Sequence, residues 1–198
     1  MKIYDQTPLS LAITKLFDKI KEEISRQYPS LPAGQVKAYI FGGAAVHVYT
    51  NARYSADIDA QLDALIELSN VQDILIDYED ENGRAYLLAW DGKFNDAFML
   101  IHPDYREDAI VFQEKPDSPL WIYLASPVDV AVSKVSRFVD IDKADIRLLA
   151  EMGLITENEF AERVEKALLY WVGNDFMLKY NIRDAKKIIR DASCQKEF

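Results

Sequence analysis

An apolar run, Tyr39-Ile40-Phe41, stops on two consecutive glycines, and the next apolar run carries aspartates at alternate positions, Asp57-Ile58-Asp59. No other stretch constrains the fold as much. A glycine pair turns a strand rather than continuing it, and the bare backbone suits the start of a helix. The spacing predicts a strand over Val36–Phe41, a short helix over Gly43–Tyr49 and a second strand over Asp57–Leu62. In such a strand Asp57 and Asp59 face one side while Ile58 faces the core. Carboxylates paired in this way suit Mg²⁺, a hard ion that takes one or two carboxylates and shares the oxygens of a substrate phosphate. The first-turn amides at Gly42 and Gly43 suit phosphate oxygens, because unpaired N–H groups and the helix dipole both favour an anion. Together these features point to phosphoryl or nucleotidyl transfer.

Phe41-Gly42-Gly43, followed after a gap by Ser55-Ala56-Asp57-Ile58-Asp59, resembles the signature of the nucleotidyltransferase superfamily of DNA polymerase β. A second block reads Ser126-Pro127-Val128-Asp129-Val130-Ala131-Val132-Ser133-Lys134, then Arg137 and Lys143-Ala144-Asp145. It is similar to the helical half of AbiEii-type nucleotidyltransferases and of an uncharacterised bacterial family related to them, many encoded in toxin–antitoxin or phage-defence loci. The two blocks and their connection span residues 36–155. The resemblance implies an α/β (α+β) fold, with a mixed-sheet lobe over residues 1–120 and a helical lobe over 121–198. It also implies that Asp57 and Asp59 hold Mg²⁺ against the phosphates of an NTP, and that a cognate antitoxin is a conceivable partner.

Around this pair, Gly42 and Gly43 let the backbone approach a triphosphate closely. Ser55 offers a hydroxyl and Arg53 a charge-assisted contact. By resemblance, Lys134 grips the triphosphate from the helical half and stabilises charge there, with Arg137 one turn on, and Asp145 matches an acidic residue of the second helical motif. An aspartate in a helix's first turn is also favoured by the dipole alone, or as an ion-pair partner of Lys134 or Arg137. A third carboxylate is common in the superfamily. Asp77, Asp91, Asp96 and Asp104 all follow strand-like runs, and spacing does not choose among them. Asp104, in His102-Pro103-Asp104-Tyr105, which looks like a family turn motif, is the slight favourite among them, although helix capping or turn formation is the stronger explanation for it. His47, among Ala44, Val46 and Val48, reads as packing.

The rest of the chain bounds the function. It has 198 residues, 49% hydrophobic and 28% charged, enough for a substantial core in one domain or two small lobes. The net charge of −10 argues against strong non-specific binding of nucleic acid, whose affinity comes mostly from phosphate contacts. A basic stripe, Lys179, Arg183, Lys186, Lys187 and Arg190, reads as a solvated helix face before it reads as a binding surface. No apolar run approaches the roughly 20 residues of a membrane span. The first residues lack a signal-peptide core, and the single cysteine, Cys194, excludes an internal disulfide framework, so a cytoplasmic location is expected.

Caps and turns mark the remaining elements. Thr7-Pro8 opens a helix whose apolar period lasts to Tyr28-Pro29. Short strands are expected at 74–76, 85–89, 97–100 and 109–112. Capping boxes at Ser126 and Thr156 and a start at Asp140 or Asp142 predict three helices, the last of them carrying Phe160, Val164, Leu168 and Trp171 on one face. A final helix follows Gly173-Asn174. These observations favour an Mg²⁺-dependent nucleotidyltransferase acting on an RNA end, a protein hydroxyl or a small molecule. The alternatives are a catalytically degenerate nucleotide- or protein-binding module and, more weakly, a phosphohydrolase.

Overall fold

The computed structural model describes residues 1–63, 74–92 and 94–194. Among these residues the chain forms two mixed sheets and six α-helices, the α+β architecture that the sequence predicts. It divides into two compact units. The first comprises Met1–Phe94 and Ala109–Leu124, the second Asn95–Asp108 and Ala125–Phe198. None of the described helices is long and apolar enough to cross a membrane.

In chain order the first unit contains α1 (Pro8–Gln27), β1 (Val36–Ile40), α2 (Gly42–Thr50), β2 (Asp57–Ile58), β3 (Ala60–Asp63), β4 (Leu75–Glu79), β5 (Ala85–Trp90), β6 (Ile110–Gln113) and β7 (Leu120–Leu124). α1 starts as expected: the Thr7 hydroxyl accepts the Ser10 N–H at 3.1 Å, and Pro8 takes the first helical position. Its buried stripe, Leu9, Ile13, Leu16, Phe17, Ile20 and Ile24, follows the helical period. Each such side chain removed from water contributes about 1.5–3 kcal/mol. β1 lies at the centre of a four-stranded sheet ordered β3-β1-β7-β6, antiparallel to β3 and parallel to β7. β2, β5 and β4 form a second sheet, with β2 parallel and β4 antiparallel to β5. The Asn82-Gly83 turn joins β4 to β5, with Gly83 at φ +76° and the Asp80 carboxylate accepting the Asn82 and Arg84 amides.

Three expectations are corrected. The strand foreseen over Asp57–Leu62 is two strands in two sheets, because the chain changes partners at Asp59. β2 follows β5, whereas β3 follows β1, and the Phe41 N–H donates to the Asp59 carbonyl at 2.7 Å where they separate. The stretch Ala97–Leu100 is not a strand. The Asn95 side chain accepts the Ala97 N–H at 2.9 Å and caps a 3-10 turn over Asp96–Phe98. Trp171 does not continue the apolar face of its helix, which stops at Leu168. β7 was not expected: its Leu120, Ile122 and Leu124 are buried while Trp121 and Tyr123 are half-buried. That pattern lacks the polar alternation that marks a strand.

The second unit contains two 3-10 turns (Asp96–Phe98 and Pro103–Arg106), α3 (Pro127–Lys134), α4 (Asp140–Glu151), α5 (Glu157–Leu168) and α6 (Phe176–Cys194). Ser126 and Thr156 cap α3 and α5 as foreseen, accepting the Asp129 and Glu159 amides. Arg163 of α5 forks onto Asp129 at 2.6 and 2.7 Å, and Asp129 is fully buried. The basic stripe of α6 is largely offset by acids: Lys179 pairs with Asp175 at 2.7 Å, Arg183 lies 3.6 Å from Asp184, and Arg190 forks onto Glu157. Three of its five cations are thus matched with acids, Arg190 with one from α5.

Candidate functional site

α2 follows β1 with one residue between them, and its start is built from close contacts. Gly42 has φ +61°, and a Cβ placed on it would stand 2.0 Å from Asp59 Oδ2. Only glycine fits. A Gly42→Ala variant is expected to lose about 1–2 kcal/mol for the left-handed backbone alone, and to push Asp59 out of place. Urea unfolding tests this, and an unchanged midpoint would remove the close-approach argument.

Gly43 performs the same service for the other side of the site. A Cβ there would stand 2.8 Å from the Arg53 guanidinium carbon and 2.9 Å from Ser55 Oγ. Ser55 Oγ in turn donates to Asp57 Oδ1 at 3.2 Å. Six of the residues singled out in the sequence, Gly42, Gly43, Arg53, Ser55, Asp57 and Asp59, therefore meet at the N-terminal end of one helix. Phe41, the N-cap, has no side-chain acceptor to offer that end. Its amides and its dipole favour an anion.

The donor set fits Mg²⁺. Asp57 is exposed and Asp59 half-buried, and both offer carboxylate oxygens. Among the described residues no three His, Cys, Asp or Glu side chains gather into a metal-sized cluster. Two carboxylates match an ion that keeps several waters and takes further oxygens from substrate phosphates.

The four aspartates among which spacing did not choose are now distinguished. Asp77 points to solvent from β4. Asp96 accepts the Tyr105 hydroxyl at 2.9 Å in the second unit. Asp104 follows Pro103 in a turn that His102 caps, its own N–H donating to His102 Nδ1 at 3.1 Å. Asp91 alone is bonded to the paired aspartates' strand: its N–H donates to the Ile58 carbonyl at 3.3 Å. This continues the parallel register in which Asp57 faces Ala89 and Ile58 faces Trp90. In-register neighbours share a face. The sequence carried no local sign of this, since register is set by tertiary pairing.

Lys134, Arg137 and Asp145 belong to the second unit, where they form one charge network with Asp142. Lys134 Nζ lies 2.5 Å from Asp145 Oδ2 and 3.6 Å from Asp142 Oδ1, with all three side chains almost wholly buried. Arg137, which is exposed, forks onto Asp142 at 2.9 and 2.7 Å. Asp142 also accepts the Val139 N–H, closing the first turn of α4. Burial pushes the Asp142 carboxyl up, but the hydrogen bonds from Arg137 and the charges of Lys134 and Arg137 outweigh it and hold the group below its ordinary value.

His47 proves to be more than filling. Its ring is buried, Nε2 lies 2.7 Å from the Thr7 hydroxyl and Nδ1 contacts the Arg53 carbonyl. A carbonyl only accepts, so Nδ1 carries a proton toward Arg53, while Nε2 meets the Thr7 hydroxyl, which also lies 2.9 Å from Ser10 Oγ as a donor. Burial lowers the His47 pKa from its ordinary 6.5, partly countered by the Arg53 carbonyl. With the folded value depressed, the unfolded chain takes up the proton first as pH falls. The stability His47 contributes is full above pH 6.5 and declines as pH drops through 6.5 toward the folded value. Between about pH 7 and 5.5 the urea midpoint of the wild type is expected to fall more than that of His47→Asn. Parallel curves would show that His47 does not titrate in this way.

A family model described as a nucleotidyltransferase of unknown function (DUF6036) matches residues 14–191. No curated protein and no solved structure gives a significant match. The matched span runs from within α1 to near the end of α6 and includes both the Gly-Gly cradle and the paired aspartates. The chain belongs to this family of nucleotidyltransferases.

Proposed function

We propose that the protein is an Mg²⁺-dependent nucleotidyltransferase that moves a nucleoside monophosphate from an NTP to a hydroxyl acceptor and releases pyrophosphate. The observation that supports this reading is the close approach of the Asp59 carboxylate to the Gly42 backbone at the start of α2. Asp57 and Asp59 would hold the ion, which when bound neutralises charge on the triphosphate and lowers the pKa of an attacking hydroxyl. The amides of Gly42 and Gly43 bind phosphate oxygens, and the Arg53 guanidinium beside Gly43 adds a fixed positive charge. Ser55 orients Asp57 through its hydrogen bond. Asp91, just past the end of β5 and bonded through its N–H to the Ile58 carbonyl, would take the acceptor's proton.

The AbiEii-like resemblance suggests a triphosphate-gripping role for Lys134 and Arg137 and a toxin or phage-defence setting with a cognate antitoxin, whereas in the second unit Lys134 is held by Asp145 and Asp142, and Arg137 by Asp142. The acceptor is an RNA 3′ end, a protein hydroxyl or a small molecule. The net charge of −10 makes a large folded RNA the least comfortable of these. A site with two carboxylates also suits a module that binds Mg²⁺–NTP without turnover, which is the second reading.

Calorimetric titration with each of the four NTPs, in Mg²⁺ and in EDTA, tests the proposal together with a pyrophosphate-release assay over candidate acceptors. Metal-dependent binding with release supports transfer. Binding without release supports the second reading, and no binding of any NTP overturns both.

A further inference from the structure

We propose that His47 is the positioning residue of the phosphate cradle, its imidazole pinning the main chain of Arg53 along α2 so that Arg53 and Ser55 lie over Gly43. The inference rests on the nucleotidyltransferase reading and adds to it a residue outside the Gly-Gly and Asp-x-Asp motifs.

Gly43 and His47 are four residues apart on α2, so they occupy one face, a turn from each other. At the end of α2 the chain reverses: Asn51 takes a left-handed conformation (φ 54°) and its N–H donates to the His47 carbonyl at 2.7 Å. The returning segment then runs back along the face that carries His47 and Gly43. Its main chain is met by His47 Nδ1 at the Arg53 carbonyl. Its side chains, Arg53 and Ser55, arrive at Gly43, where the missing Cβ leaves them room.

The other nitrogen of the ring anchors the imidazole. Nε2 meets the Thr7 hydroxyl at 2.7 Å, and Thr7 is the N-cap of α1, itself bonded to Ser10. The ring thus has one bond to scaffold and one to the cradle. Tyr54, between Arg53 and Ser55, stacks in parallel on Tyr86 at 5.2 Å, and its ring also meets that of His47 at 6.1 Å. The segment is therefore fixed through its main chain by His47 and through a side chain by Tyr54. Arg53, whose carbonyl the ring holds, is one of the two residues whose side chains flank Gly43.

The two ring nitrogens can be separated by substitution. The amide of asparagine reaches the place of Nδ1, and that of glutamine the place of Nε2. Affinities of His47→Asn, His47→Gln and Thr7→Val are measured for Mg²⁺ complexes of the best-bound NTP and of its monophosphate, alongside thermal unfolding. His47→Gln, which loses the Arg53 bond, is expected to bind the triphosphate about 3–10-fold more weakly, the equivalent of one hydrogen bond, with monophosphate affinity far less changed. His47→Asn is expected to keep triphosphate affinity, and Thr7→Val to lower the unfolding temperature without that selective loss. Wild-type affinity in a folded His47→Gln overturns the inference. So does a loss of triphosphate affinity in His47→Asn, whether or not His47→Gln folds. Failure of the wild type to bind any NTP is a different result, and removes the functional reading on which the inference rests.

Discussion

Replacing both paired aspartates, Asp57→Asn with Asp59→Asn, is expected to abolish Mg²⁺-dependent NTP binding and nucleotidyl transfer while leaving the unfolding temperature close to that of the wild type. Asparagine keeps the shape of aspartate, so Asp59 still fits against Gly42, and the Ser55 hydroxyl still finds an acceptor on residue 57. What disappears is two negative charges at the place where a divalent ion would need them. Changes to groups that merely support metal ligands cost roughly 10–100-fold, so loss of two ligands should exceed that range. Calorimetry in Mg²⁺ and EDTA reads the binding, and circular dichroism reads the fold. Undiminished metal-dependent binding in a folded double variant would mean that the nucleotide sits elsewhere.

The largest effect on stability is expected from Lys134→Ala. Lys134 is almost wholly buried, and two equally buried carboxylates, Asp145 and Asp142, lean on its ammonium group. Removing one member of a buried ionic group leaves the others uncompensated, which costs about 3–5 kcal/mol. For a chain of this size that lowers the unfolding temperature by roughly 6–20 °C. Scanning calorimetry measures it. A double replacement, Lys134→Met with Asp145→Leu, should lie nearer the wild type, because the unpaired charge goes with its partner and Asp142 retains Arg137. A shift of less than about 1 °C for Lys134→Ala would show that water reaches the cluster freely. Loss of NTP affinity in Lys134→Ala counts as loss of a ligand contact only if its transition stays above the assay temperature.

Much of the site was legible because its logic is local. Gly42, Gly43, Asp57 and Asp59 announce themselves by residue type and order, and the caps at Thr7, Ser126 and Thr156 act over three residues. What escaped the sequence depends on distant partners. Nothing in Asp57-Ile58-Asp59 says that its two halves join different sheets, and nothing near Asp91 says that its amide meets Ile58. β7 escaped for the same reason, as its two half-buried aromatics hide the alternation of a strand. Asp129 was visible only as part of a capping box, whereas Arg163, 34 residues away, makes it the centre of a buried ion pair. His47 was judged by its apolar neighbours, yet its two bonds reach Thr7 and Arg53.

The way the chain is shared between its two units bears on how it must be made. It leaves the first unit after Phe94, returns at Ala109 and departs again after Leu124. On a ribosome β1 emerges long before β7, its parallel neighbour, so the sheet beside the cradle waits for residue 124 before it can close. Pairings between strands so far apart in sequence form slowly. A fragment ending at residue 120 would reach only the first residue of β7 and leave β1 with an open edge prone to association. Neither unit can be released by a single cut, so a nascent chain has no finished cradle until most of the protein has been synthesised.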